Sequence, residues 1–171
     1  MKLIKPLFLF CATVVCFASC EPKKTPDDYN KSAAEKIMKK DYKGAIEDLS
    51  KVIELTPNNA GAYFSRGLTK FTAEDYSGAI ADYNKSISLD PKNSWAYSDR
   101  GNAKIKLNDL KGAVEDYTKA FDINHGNIEA LLNRGYCKQG LGDQAGACAD
   151  WKIAAESGNT QAAEALATNC K

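Results

Sequence analysis

The chain writes one pattern four times. Residues 41 to 57, DYKGAIEDLSKVIELTP, return thirty-four positions later as DYSGAIADYNKSISLDP, with ten of seventeen letters identical. Residues 109 to 125, DLKGAVEDYTKAFDINH, and 143 to 159, DQAGACADWKIAAESGN, continue the series at the same interval. The period divides the chain into units 26–59, 60–93, 94–127 and 128–161 without an insertion. A unit this short cannot bury its apolar face alone, so each copy has to stack on the next.

Each unit reads as two helices. In the second, Tyr63, Phe64, Gly67, Leu68 and Phe71 recur at one-face helical spacing, and Ala79, Ile80, Tyr83 and Ile87 do so further on. Between the two runs stands Asp75, matched by Asp41, Asp109 and Asp143, each placed to accept backbone N–H groups at the start of the second helix. Pro57 and Pro91 close the first two units. Small residues mark close approaches: Ala33, Gly67, Gly101 and Gly135 on the first helices, Ala45, Ala79, Ala113 and Ala147 on the second. Bulk fills the space between, with Leu49, Tyr83, Tyr117 and Trp151 in one register and Tyr29, Tyr63, Tyr97 and Leu131 in another.

This alternation of small and large residues over 34 positions resembles the tetratricopeptide repeat. The resemblance implies an all-α fold, a right-handed superhelical solenoid of four helix hairpins spanning 28–161, closed by a capping helix over 160–171. The chain departs from the family pattern consistently. Arg66, Arg100 and Arg134 stand where Leu is usual before Gly, with Ser32 in the first unit, and Lys36, Lys70, Lys104 and Lys138 stand where Tyr is usual. Each second helix supplies a carboxylate in one register, Asp48, Asp82, Asp116 and Asp150. We expect ion-paired ladders between helices; an anion-binding stripe and a plain solvated face are the alternatives.

Ahead of the repeats, MKLIK is followed by PLFLFCATVVCFAS, a charge-free run too short to span a bilayer and suited to a secretory leader over residues 1–19. The segment ends FASC and resembles a bacterial lipobox, which implies acylation of Cys20, with residues 20–27 as a polar tether and plain secretion as the alternative. Cys16 fits less well because bulky Val15 precedes it. The implied location is the bacterial cell envelope, lipid-anchored and facing periplasm or cell surface.

The 23 Lys and Arg residues nearly balance 22 Asp and Glu, and two of the lysines, Lys2 and Lys5, lie in the leader. That balance offers no electrostatic footprint for nucleic acid. His125 is the only histidine and falls at a helix end, so neither a metal site nor an acid–base pair is suggested. We expect no cofactor and no enzyme activity. In an oxidising compartment two of Cys137, Cys148 and Cys170 should pair. Cys148 and Cys170 flank the turn near Gly158 at comparable heights, and their bridge would pin the last helix; Cys137 and Cys148 flank the turn near Gly142 and are also compatible.

The expected function is a protein–protein interaction module, tethered to a membrane and binding a peptide or protein partner in a concave groove. A structural subunit of an envelope assembly machine, for outer-membrane proteins or pilus secretins, is the alternative. The resemblance implies that first helices line the groove, which assigns partner contact to Phe64, Leu68, Phe71, Trp95, Asn102, Ile105, Leu132 and Tyr136, with Phe71 and Trp95 as anchors. Packing of some of these between repeats is the competing reading. Relatives that clamp a terminal carboxylate present Lys and Asn one turn apart at the groove's start; Asn30 and Ala34 stand there instead.

Overall fold

The computed structural model describes residues 24–171; the leader over 1–19, the lipidation assigned to Cys20 and the first residues of the tether lie outside the described residues. Within them the chain forms α1 (Pro26–Met38), α2 (Tyr42–Leu55), α3 (Ala60–Thr72), α4 (Tyr76–Leu89), α5 (Ser94–Lys106), α6 (Leu110–Ile123), α7 (Ile128–Gly140), α8 (Gln144–Glu156) and α9 (Thr160–Asn169). Helix α1 begins inside the predicted 20–27 tether because Thr25 and Asp28 form a reciprocal capping box and Pro26 suits a first turn. Each helix packs on its sequence neighbours, and α3 also meets α5, so the odd-numbered helices lie side by side. Among the described residues no helix is long and apolar enough to cross a membrane.

The caps follow the period. Carboxylates of Asp41, Asp75, Asp109 and Asp143 accept the backbone N–H groups of Gly44, Gly78, Gly112 and Gly146 at 2.9–3.0 Å. The first helices have caps of their own in Asn59, Asn93, Asn127 and Asn159, each accepting from the N–H three residues on. The tight turn inside each hairpin needs a left-handed residue. Gly142 supplies it in the last unit, whereas Lys40, Glu74 and Asn108 adopt φ values of 60–63° in the others.

The core runs along the hairpin seams. Tyr83, Tyr117 and Trp151 are fully enclosed and lie against the small residues of the partner helix. A Cβ at Gly67 would stand 2.7 Å from the Tyr83 ring, and one at Gly135 would stand 2.3 Å from Trp151 Nε1. That nitrogen donates to the Leu132 carbonyl at 3.2 Å, which satisfies the one polar atom of a buried indole.

The predicted ladder forms between the two helices of each hairpin. Arg66 grips Asp82 through Nε and Nη2 at 2.8 and 2.7 Å, and Lys70 Nζ reaches the same carboxylate at 2.8 Å. Arg100 and Lys104 hold Asp116 in this way, and Arg134 and Lys138 hold Asp150. The carboxylates are buried while the cations keep a partly wet edge, so the fork geometry offsets a desolvation cost that a lone charge could not. The third guanidinium nitrogen reaches back to the preceding repeat, donating to Ser50, Asn84 and Thr118 from Arg66, Arg100 and Arg134. Each arginine therefore ties three helices. The first unit lacks it: Ser32 and Lys36 donate to Asp48 instead. Burial pushes the Asp48 carboxyl up, but those two hydrogen bonds outweigh it and leave the group below the ordinary carboxylate range.

The period breaks once, after α8. Gly158, at φ 90°, turns the chain two residues sooner than the earlier loops do, and α9 starts at Thr160, inside the unit counted as 128–161. Ala162 and Ala165 of α9 pack with Leu131, Leu132 and Trp151, while Gln161 and Glu164 face outward. Cys148 and Cys170 are joined, with Cα atoms 5.8 Å apart across a separation of 22 residues. Closing a loop of that size contributes about 3 kcal/mol and holds the last helix to the stack. Cys137 is a buried thiol, raised by burial to about 11.

Candidate binding groove

One face of the odd-numbered helices carries the open surface. Between α1 and α3 lies a hollow of about 420 Å³ lined by Asn30, Ala34, Ile37, Gly61 and Ser65. It continues past Ile37 and Ser65 to Leu68 and Thr72. At the other end, α7 and α9 frame a hollow of about 430 Å³ with Glu129, Asn133, Tyr136, Gln161, Glu164 and Thr168 on its walls. The first half is apolar or small in character; the second is polar and acidic.

The eight residues expected to touch a partner divide into two groups. Leu68, Trp95 and Tyr136 are open to solvent, at 38%, 59% and 46% exposure. The others are committed to packing. Leu132 lies at the floor of the α7–α9 hollow, but it is 2% exposed and sits in the cluster around Trp151, because its register meets the seam with α9. Phe64 packs its ring 5.9 Å from that of Tyr83, and Phe71 meets Tyr76 edge-on at 5.4 Å, so Phe71 is half-buried scaffold rather than an exposed anchor. Ile105 packs on the cluster of Ala113 and Tyr117. Asn102 is occupied internally: it accepts the Tyr117 hydroxyl at 2.6 Å and donates to Asp99 Oδ1 at 3.3 Å.

Sequence reasoning passed over Asp99. Its register, counted by the period, holds Lys31, Ser65, Asp99 and Asn133. Ser65 and Asn133 line the two hollows, which puts Asp99 on the same face of α5, midway between them. Burial raises its carboxyl above the ordinary range, with the Asn102 amide pulling weakly the other way. The available signal was a charge in a register that otherwise changes identity at every copy. Among the described residues no three His, Cys, Asp or Glu side chains group as a metal site. His125, predicted to be a loop residue, is exposed beyond α6 with its ring 4.9 Å from Phe121.

Comparison with known proteins fits this architecture. The family described as TPR repeat matches residues 37–73 and 70–108, and the family described as tetratricopeptide repeat matches 96–126. The chain belongs to the tetratricopeptide repeat family. Among solved structures, this tetratricopeptide chain superposes on MamA with a TM-score of 0.77 at 22% identity, covering 82% of this chain and 78% of that one. A second MamA structure gives 0.76 at 25% identity, with 81% of each chain covered. The first TPR of Spaghetti (RPAP3), solved bound to the HSP90 peptide SRMEEVD, gives 0.66 at 24% identity over 68% of this chain and 93% of that one. No curated protein matches the sequence.

Proposed function

We propose that the protein is a non-enzymatic interaction module whose groove along α1, α3, α5, α7 and α9 docks a peptide segment of a partner protein, and that a lipid on Cys20 holds it at a bacterial membrane facing periplasm or cell surface. The observation that carries the groove reading is the contrast between the seams and this face. Tyr83, Tyr117 and Trp151 of the seams are enclosed, yet Leu68, Trp95 and Tyr136 stand open on α3, α5 and α7, Leu68 and Tyr136 in the walls of the hollows described above and Trp95 in a third, edged by Asn124, Glu129 and Ser157. Exposed aromatic and aliphatic residues beside a preformed concavity are the usual anchors of peptide recognition. The structural neighbour solved with a peptide supports the reading by analogy of fold. The anchor rests on the FASC sequence after a charge-free run.

The test uses the full chain expressed in a bacterial envelope. Partner capture after crosslinking is compared between wild type and a Leu68→Ser, Tyr136→Ser double variant. Both positions are exposed, although the Tyr136 ring also meets Trp151 edge-on at 5.2 Å, so stability should fall by about 0.5 kcal/mol at Leu68 and about 1 kcal/mol at Tyr136 and leave the chain folded. Lost capture by a variant that stays folded supports the groove; undiminished capture overturns it. In the same cells Cys20→Ala should abolish incorporation of labelled fatty acid and release the protein from membranes.

A further inference from the structure

The tyrosines of two successive seams differ in one respect. Tyr117 and Tyr83 occupy the same place in successive repeats, each ring pressed against a glycine of the first helix. Tyr117 donates its hydroxyl to Asn102, whereas the matching position in the earlier repeat is Leu68, and the Tyr83 hydroxyl, wholly enclosed, has no partner. Asp99 joins the Tyr117–Asn102 pair by accepting from the Asn102 amide at 3.3 Å. Burial lifts both phenols, and the Asp99 charge adds to each. A half-buried carboxylate thus stands on α5 between the hollow that holds Leu68 and the acidic one.

One turn back on the same face of α5 is Trp95, the most exposed aromatic among the large apolar residues. An indole and a carboxylate four residues apart on one helix offer the two elements that hold an organic cation: a π face for its flank and an anion for its charge. The α7–α9 hollow carries Glu129 and Glu164, and no Lys or Arg lines it or the hollows on the other side. Lys31 is the cation in the Asp99 register, two repeats away at the opposite end. A desolvated Asp99 is unfavourable to the fold by itself, and an incoming cation would remove that penalty.

Resting on the groove reading above, we propose that the partner peptide is basic: it seats a lysine or arginine side chain between the Trp95 indole and the Asp99 carboxylate, with an apolar residue beside it over Leu68. This is the reverse of a carboxylate clamp, whose Lys and Asn positions at the groove start are held here by Asn30 and Ala34.

The experiment is a selection of random decapeptides, capped at both ends, displayed to the full chain and in parallel to its Asp99→Asn variant. Selected peptides are then measured by fluorescence anisotropy, with each basic residue replaced in turn by norleucine. The expected result is a Lys or Arg fixed at one position in the wild-type pool and absent from the variant pool. Affinity should fall about tenfold or more on either Asp99→Asn or the norleucine replacement, and not further when both are combined. The variant should melt no lower than wild type, which separates a lost contact from a lost fold. Peptides selected without a basic residue, or bound equally by Asp99→Asn, would overturn the cation site and leave the groove standing. If neither protein selects any peptide, both readings fail.

Discussion

The seam between paired helices and the open face of the same first helices obey opposite rules. Along the seam, Arg, Lys and Asp recur at the same three registers in units two to four, and the hydrogen bonds recur with them: Arg66 to Asp82, Arg100 to Asp116, Arg134 to Asp150. Along the open face, one register reads Lys31, Ser65, Asp99, Asn133, and another reads Ala34, Leu68, Asn102, Tyr136. A stack of equal units needs an equal joint at every step, so the joint registers are held in common. The open face carries no such demand, and what is written there can differ from copy to copy. In a solenoid the registers that fail to repeat are therefore where recognition is to be sought.

Breaking the joint should have the largest effect. Asp116→Ala strands Arg100 and Lys104 at a largely enclosed site, where their side chains are 18% and 19% exposed, and should cost about 3 kcal/mol in denaturant unfolding. Asp48→Ala should cost less, because Lys36 is 32% exposed and water can take over its charge. An equal loss at the two positions would mean that burial does not set the strength of the joint.

The joint was legible because it is periodic: Arg, Lys and Asp at fixed intervals imply a contact repeated at every copy. What the period could not convey is how far each guanidinium reaches. Ser50, Asn84 and Thr118 share a register but not a chemistry, and only the packing of adjacent hairpins reveals them as acceptors for the following seam. The face was half legible. Phe71 and Leu132 are apolar and lie on first helices, which is all that sequence supplies, yet one docks on Tyr76 and the other on the α9 cluster. Apolarity marks burial and recognition alike; the orientation of the next helix decides between them. Asp99 was missed for the converse reason, since a single charge among 22 acidic residues carries no mark of being buried.

The two seam tyrosines sharpen the comparison at a smaller scale. Tyr117→Phe leaves the Asn102 carbonyl oxygen without its donor and should cost about 1 kcal/mol. Tyr83→Phe removes a hydroxyl that is enclosed and unpartnered, so it should be neutral or stabilising by up to about 1 kcal/mol. The same chemical change at equivalent places would thus differ in sign. A loss of equal size at both sites would show that Tyr83 has a partner in solution.

The smallest effect is also the most diagnostic, because it reads the face without a ligand. Asp99 has its carboxyl raised by burial, so the folded protein binds that proton more tightly than the unfolded chain does. The proton's contribution to stability is fully present below the unfolded value near 3.8 and is lost as pH rises through the raised folded value. At neutral pH the wild type therefore carries a desolvated charge that Asp99→Asn lacks, and the variant should be the more stable of the two. As pH falls through the raised value the wild type recovers and the gap should close. Asp48 moves in the opposite sense, losing stability as pH falls through its lowered value, but it is present in both proteins and cancels in the difference. Urea unfolding of both proteins between pH 4 and pH 7 measures the gap directly. A variant that is less stable at pH 7, or a gap that widens towards acid, would mean that the Asp99 carboxylate is held by favourable contacts of the fold, and the case for a cation drawn in from outside would collapse.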